Sequence, residues 1–134
     1  MTSRQANGPF DIELTPQVLS STAEASGLGR MALEKRFHGE LEAESRGEML
    51  AFRGALGSAG YVAMETVSGQ LHGREGSFVL QHSSTMTRGV PVQAVFVVPD
   101  SGTGQLTGLS GQMTITVQEG RHSYRLDYSL PELA

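Results

Sequence analysis

The residues of this chain best suited to chemistry are a carboxylate, a lysine, two histidines and three tyrosines that fall on otherwise apolar strand faces. Glu65 lies in Tyr61–Leu71, where alternate positions read Tyr61, Ala63, Glu65, Val67. A carboxylate on such a face must be paired, protonated or in contact with a wet cavity. Lys35 occupies the same kind of position among Met31, Leu33 and Phe37. His82 shares a face with Phe78 and Leu80, and His122 shares one with Tyr124, Leu126 and Tyr128. Buried ionisable groups are costly unless paired, and clusters of them often mark sites. If these faces line one interior, Glu65 or His82 would move or hold a proton. Lys35, Tyr61, Phe78, His122, Tyr124 and Tyr128 would line and orient a ligand. The structural alternative stands beside this one. Lys35 and Glu65 would then form an ion pair that only stabilises, the histidines would be hydrogen-bonded, and the tyrosines would pack.

Other chemistries lack their motifs. Gly102-x-Gly104 is followed by no helix and no ribose-binding acid, which argues against a dinucleotide site. No P-loop and no G-x-S-x-G elbow is present. His38, His72, His82 and His122 show no metal-ligand spacing, so no metal or other cofactor is expected. The Glu40, Glu42, Glu44 run reads as a solvated strand face.

The elements that must position these residues are strands. Met31–Ala43 alternates strictly: Met31, Leu33, Lys35, Phe37, Gly39, Leu41 and Ala43 on one face, and Glu34, Arg36, His38, Glu40 and Glu42 on the other. A period of two with one solvated face predicts an antiparallel sheet. At about 3.3 Å per residue the run would reach roughly 40 Å, so a bend or bulge is expected near Gly39. Further strands are expected at Phe10–Leu19, at an edge or bent at Pro16, and at Gly47–Phe52, Tyr61–Leu71, Ser77–Met86, Val90–Val98, Leu106–Val117 and Arg121–Leu130. Ser20–Gly29 reads as a loop. Residues 1–9 read as a flexible polar arm ending in Gly8-Pro9, and residues 10–134 as a single domain. The pattern Gly69-x-Leu71-x-Gly73-x-x-Gly76 returns as Gly104-x-Leu106-x-Gly108-x-x-Gly111, with a weaker copy at Gly39-x-Leu41-x-Ala43. Aligning Gly39 with Gly69 places Lys35 and Glu65 at equivalent positions. Eight strands with glycines at matching places favour an all-β, eight-stranded antiparallel barrel over a sandwich.

Composition agrees. The chain's 134 residues suffice for one domain with a sizeable core, and 17 glycines without a collagen period suit turns and bulges. With no cysteine there is no disulfide and no thiol chemistry, and the cytoplasm is the expected compartment. A net charge of −4 without a basic stripe argues against nucleic acid as a partner. No apolar run has the length of a membrane helix or a secretory signal. Val90, Val92, Val95, Phe96, Val97 and Val98 make one strand apolar on both faces. Since a barrel interior buries only one face, the other is expected to meet the N-terminal arm or a second subunit. A homo-oligomer, with a dimer favoured, is therefore expected.

Several of these segments together resemble a bacterial family, domain-of-unknown-function family 3224. They are Gly39-Glu40-Leu41, Tyr61-Val62-Ala63-Met64-Glu65, Gly76-Ser77-Phe78-Val79-Leu80-Gln81-His82, Ser101-Gly102-Thr103-Gly104-Gln105-Leu106-Thr107-Gly108-Leu109 and His122-Ser123-Tyr124-Arg125-Leu126-Asp127-Tyr128. Ser83-Ser84 stand where the family pattern leads us to expect a glycine. The resemblance implies a barrel like that of allene oxide cyclase, and no established activity. Barrels of that shape include enzymes acting on apolar small molecules. The expected function is binding, or isomerising or cyclising, a small largely apolar molecule inside the barrel. The alternative is a non-catalytic module whose filled barrel serves assembly or partner binding.

Overall fold

The alternation of apolar and polar residues is realised as a closed antiparallel barrel in which neighbours in sequence are neighbours in space. In this computed structural model, which describes residues 2–131, the strands are β1 (Thr2–Gln17), β2 (Gly29–Phe37), β3 (Leu41–Arg53), β4 (Ala59–Leu71), β5 (Arg74–Thr87), β6 (Val90–Val97), β7 (Ser110–Gln118) and β8 (Arg121–Leu130). A 3-10 turn at Gly104–Leu106 is the only helical element among the described residues. None of these elements is a helix long and apolar enough to cross a membrane. The outer wall carries exposed charges such as Glu34, Arg36, Glu42, Glu44 and Arg46, where a membrane barrel would present an apolar band.

Three hairpins turn on two residues that both hold positive φ: His72-Gly73 (47° and 79°), Arg88-Gly89 (44° and 85°) and Glu119-Gly120 (53° and 77°). This is the requirement of a type I′ turn, whose twist matches that of paired strands. The connection between the expected strands Tyr61–Leu71 and Ser77–Met86 is thus only two residues long, and Arg74 already pairs with Leu71.

Three expectations are corrected. Residues 2–9 are not an arm. They pair with β8 from Thr2↔Leu130 to Phe10↔His122, and β1 then pairs with β2 from Phe10↔Phe37 to Gln17↔Arg30. Met1 and residues 132–134 lie outside the described residues. The long run Met31–Ala43 is two strands, reversing at His38-Gly39-Glu40, with Phe37 opposite Ala43. Phe37 and Leu41 are an even number of residues apart, so the reversal leaves the in–out alternation unbroken. The expected strand Leu106–Val117 begins only at Ser110, because Leu106 and Leu109 belong to a plug.

That plug divides the interior. The β6–β7 connection folds across one barrel end, where Leu106, Leu109, Leu41, Leu71, Leu126 and Leu130 are fully buried with Phe37 and Phe78. Gly76 lets it close: a Cβ there would stand 2.1 Å from the Thr103 carbonyl oxygen. Among the described residues no comparable connection crosses the other end. Its inward positions carry Met31, Met49 and Tyr61, which are half-buried, and Met86, which is exposed. Between β6 and β7 the ladder is thin. One pair, Phe96↔Gln112, joins them, and the Gln93 side-chain oxygen accepts the Ile115 N–H at 2.7 Å.

If residues 2–8 were a loose arm, removing them would leave stability unchanged. Paired as they are, with Ala6 fully buried, their deletion opens the barrel at β8. Loss of the cooperative thermal transition in the variant lacking residues 1–8 is the expected result, read by circular dichroism.

Candidate functional site

Glu65 sits in the middle of β4, facing inward, with its side chain fully buried. Two neighbours make room for it. Gly47 pairs directly with it across the sheet, and a Cβ at Gly47 would stand 1.9 Å from the Met64 carbonyl oxygen and 2.7 Å from the Glu65 Cα. Ala63 and Val67 flank it on its own strand.

Three donors saturate the carboxylate. Lys35 Nζ of β2 donates to Oε2 at 2.8 Å. His82 Nε2 of β5 lies 2.6 Å from the same oxygen. Ser45 Oγ of β3 donates to Oε1 at 2.7 Å. Burial alone pushes the Glu65 carboxyl up. The His82 hydrogen bond and the Lys35 charge outweigh it and hold the group at about 2. As an ionised carboxylate Glu65 can only accept, so His82 Nε2 carries the proton. In the neutral imidazole Nδ1 is then the free lone pair. The Lys35 ammonium also lies 5.2 Å from the centre of the Phe10 ring and 5.9 Å from that of Phe37, close enough for cation–π attraction.

Tyr61 lies on the open-end side of this cluster, half-buried, its ring centre 6.4 Å from that of His82. Burial pushes its hydroxyl up, the Ser84 hydrogen bond pulls it back, and the Glu65 charge adds to the rise. Beyond Tyr61 the open end forms a cavity of about 600 Å³ lined by Leu28, Met31, Met49, Tyr61, Met86 and Pro91 among others.

The sequence candidates therefore divide. Lys35, Glu65, His82 and Tyr61 come together. Ser45 completes the cluster and was missed. It occupies an inward position of the Leu41–Ala43 alternation, opposite Lys35, and that register was its one available signal. Phe78 is buried in the filled half. His122 is half-buried beside Phe10, with ring centres 5.3 Å apart. Tyr124 serves the β2–β3 turn: its hydroxyl accepts the Leu41 N–H at 2.9 Å and donates to the His38 carbonyl at 2.7 Å. Tyr128 reaches the plugged end, where its hydroxyl meets His72. Among the described residues no three His, Asp or Glu side chains converge to hold a metal ion.

Geometry makes Glu65 a clamp on three strands. Glu65→Gln leaves the Lys35 ammonium buried without its counter-charge and is expected to cost about 3–5 kcal/mol. Adding Lys35→Met to the same chain should recover most of that loss in urea unfolding. The ionised carboxyl stabilises the fold fully above its ordinary value of 4.5 and loses this effect as pH falls toward 2. The fall in urea midpoint over that window should be smaller in the double variant than in the native chain.

Comparison with known proteins places this barrel. The family described as "Protein of unknown function (DUF3224)" matches residues 6–128. No curated protein matches the chain. A crystal structure of a protein with unknown function from the DUF3224 family of Shewanella oneidensis MR-1 is similar throughout. It is 48% identical, covers 98% of this chain and 100% of its own, and superposes with a TM-score of 0.90. With nine-tenths of its length matched, and with a relative so similar in sequence and in barrel, the chain belongs to the DUF3224 family.

Proposed function

We propose that the open end of the barrel holds a small, largely apolar molecule, with His82 as its polar contact. The observation that carries this reading is the unplugged cavity bordered by Tyr61, beyond which lies the fixed Glu65–His82 pair. Eight strands leave room for side chains or for one small ligand. Here one half is packed with side chains and the other is not. Three methionines line the cavity, and their flexible, polarisable side chains adapt to varied apolar shapes. Glu65 orients the imidazole so that Nδ1 presents its lone pair. Rotation of the Tyr61 ring would bring a ligand hydroxyl or an acidic C–H within reach of that nitrogen. His82 would then hold or move the ligand's proton, as isomerisation or cyclisation in an allene-oxide-cyclase-like barrel would need. Glu65 is a positioning residue in this scheme, since all its partners are protein groups.

A panel of apolar carbonyl compounds tests the reading by thermal melting. At least one should raise the melting temperature of the native chain by several degrees at saturation. Met49→Asp should abolish the rise, and His82→Gln should weaken it while keeping a hydrogen bond to Glu65. No rise with any compound up to its solubility limit rejects ligand binding and favours a module that works through its surface.

One observation supports such surface contact in addition. Val90, Val92 and Phe96 on the outer face of β6 are 63%, 65% and 48% exposed, and β1 is engaged elsewhere in the wall. We propose that a second copy covers this face. Light scattering should give a dimer at micromolar concentration, and Val92→Lys with Phe96→Glu should give a monomer. A monomeric native chain rejects the dimer.

A further inference from the structure

Four segments converge at the plugged end, on the opposite side of the core from the open cavity. Tyr128 of β8 points its hydroxyl at His72 Nδ1, 2.5 Å away. His72 Nε2 faces Glu40 Oε2 at 3.0 Å. The other Glu40 oxygen accepts the Asn7 N–H of β1 at 2.9 Å. The His72 hydrogen bond, followed by that of Asn7, keeps the Glu40 carboxyl below its ordinary value. Phenol, imidazole and carboxylate thus stand in line, the order of groups found in a serine–histidine–aspartate relay with a phenol in the hydroxyl's place. His72 reaches this position from a turn in which it holds φ of 47°, a conformation uncommon outside glycine.

Register brings two arginines near the same phenol. Arg4 is the strand partner of Tyr128, and Arg74 follows the His72-Gly73 turn. Burial pushes the Tyr128 hydroxyl up, whereas the Arg4 charge and then the Arg74 charge pull it down, so both act on that one oxygen. A bridge that only fastened the hairpin to β8 would require neither of them. Bringing two positive charges near one buried phenol is favourable when an anion joins them, and the forked guanidinium matches the geometry of an oxyanion.

The relay has two directions. Glu40 as a carboxylate only accepts, so His72 Nε2 holds a proton. When the ring is neutral, Tyr128 must donate to Nδ1. When the ring takes a second proton, Nδ1–H donates to the phenol oxygen, and the phenol proton is free to turn outward. We propose that the plugged end is a small-oxyanion site, where Arg4 and Arg74 supply charge and Tyr128 supplies a donor whose direction His72 and Glu40 control. The groups facing His72 are Glu40 and Tyr128, and those facing Tyr128 are Arg4, Arg74, Glu40 and His72. Anion binding is coupled to uptake of one proton by His72. The ligand class is a phosphate, sulfate or carboxylate group.

Sulfate is the test probe, because its charge is constant across the range in which imidazoles titrate. Titration calorimetry of the native chain from pH 5.5 to 8.5, at constant ionic strength, should show saturable binding. Its affinity should fall by up to about tenfold per pH unit toward the alkaline side. Tyr128→Phe and His72→Asn should each weaken binding at low pH and flatten the slope. Arg4→Gln and Arg74→Gln should weaken it at every pH. Displacement of sulfate by inorganic phosphate or by phenyl phosphate supports the site, and the stronger competitor tells a free ion from an ester. Absence of saturable sulfate binding overturns the proposal. So does a native affinity that does not change with pH, which decides the matter even if the Tyr128 and His72 variants fail to fold.

Discussion

A carboxylate removed from water must find donors on every side, and in this barrel the donors come from other strands. Glu65 on β4 is reached by Ser45 from β3, Lys35 from β2 and His82 from β5. Four consecutive strands are thus fixed in register by one side chain, since a slip of one residue would turn each partner out of the interior. Desolvation makes this arrangement expensive in isolation, and the complete set of donors offsets it. No fully buried polar side-chain atom among the described residues lacks a hydrogen-bond partner. A centre that tolerates no missing member specifies a single arrangement of the wall around it.

Around that centre the barrel's two ends differ. One is closed by the β6–β7 connection, whose leucines continue the core, and there the aromatic hydroxyls serve turns and polar bridges. The other is lined by methionines and by Tyr61, and Tyr61 separates its cavity from the imidazole that Glu65 holds in place. The polar cluster therefore belongs to both halves. It completes the packing on one side, and on the other it borders Tyr61, which lines the apolar space.

Much of this was legible from pattern alone. Period-two alternation shows the inward faces, and with them Lys35, Glu65, His82 and Tyr61. The glycine repeat shows that Lys35 and Glu65 occupy like positions. Which inward residues meet across the wall depends on register, which no single strand encodes. Ser45 and the separation of Tyr124 and Tyr128 from Glu65 therefore stayed hidden. A hairpin that preserves parity is invisible to an alternation count, and this concealed the reversal at His38–Glu40. The first strand was hidden by its smallness. Ala6 and Gly8 face inward, and Gly8 has no room for a side chain: a Cβ there would stand 2.0 Å from the His38 carbonyl oxygen and 2.8 Å from the Tyr124 hydroxyl. Small inward residues beside polar outward ones leave no hydrophobic period to read.

That same plainness bears on how the chain reaches its fold. Within the barrel β1 leaves the ribosome before the other strands, and β8, which it must join, leaves after them. The two pair across almost the whole sequence, as Thr2 with Leu130, so this contact carries a large loop-closure cost and the wall is sealed late. During the wait the leading segment is an unpaired edge, the kind of template on which chains aggregate. Ser3-Arg4-Gln5-Ala6-Asn7-Gly8-Pro9 contains no β-branched or aromatic residue, carries a charge and ends in a proline, all of which disfavour stacking into fibrils. The composition that disguises this segment as a loose tail also keeps it from sticking to a wrong neighbour until the last strand arrives.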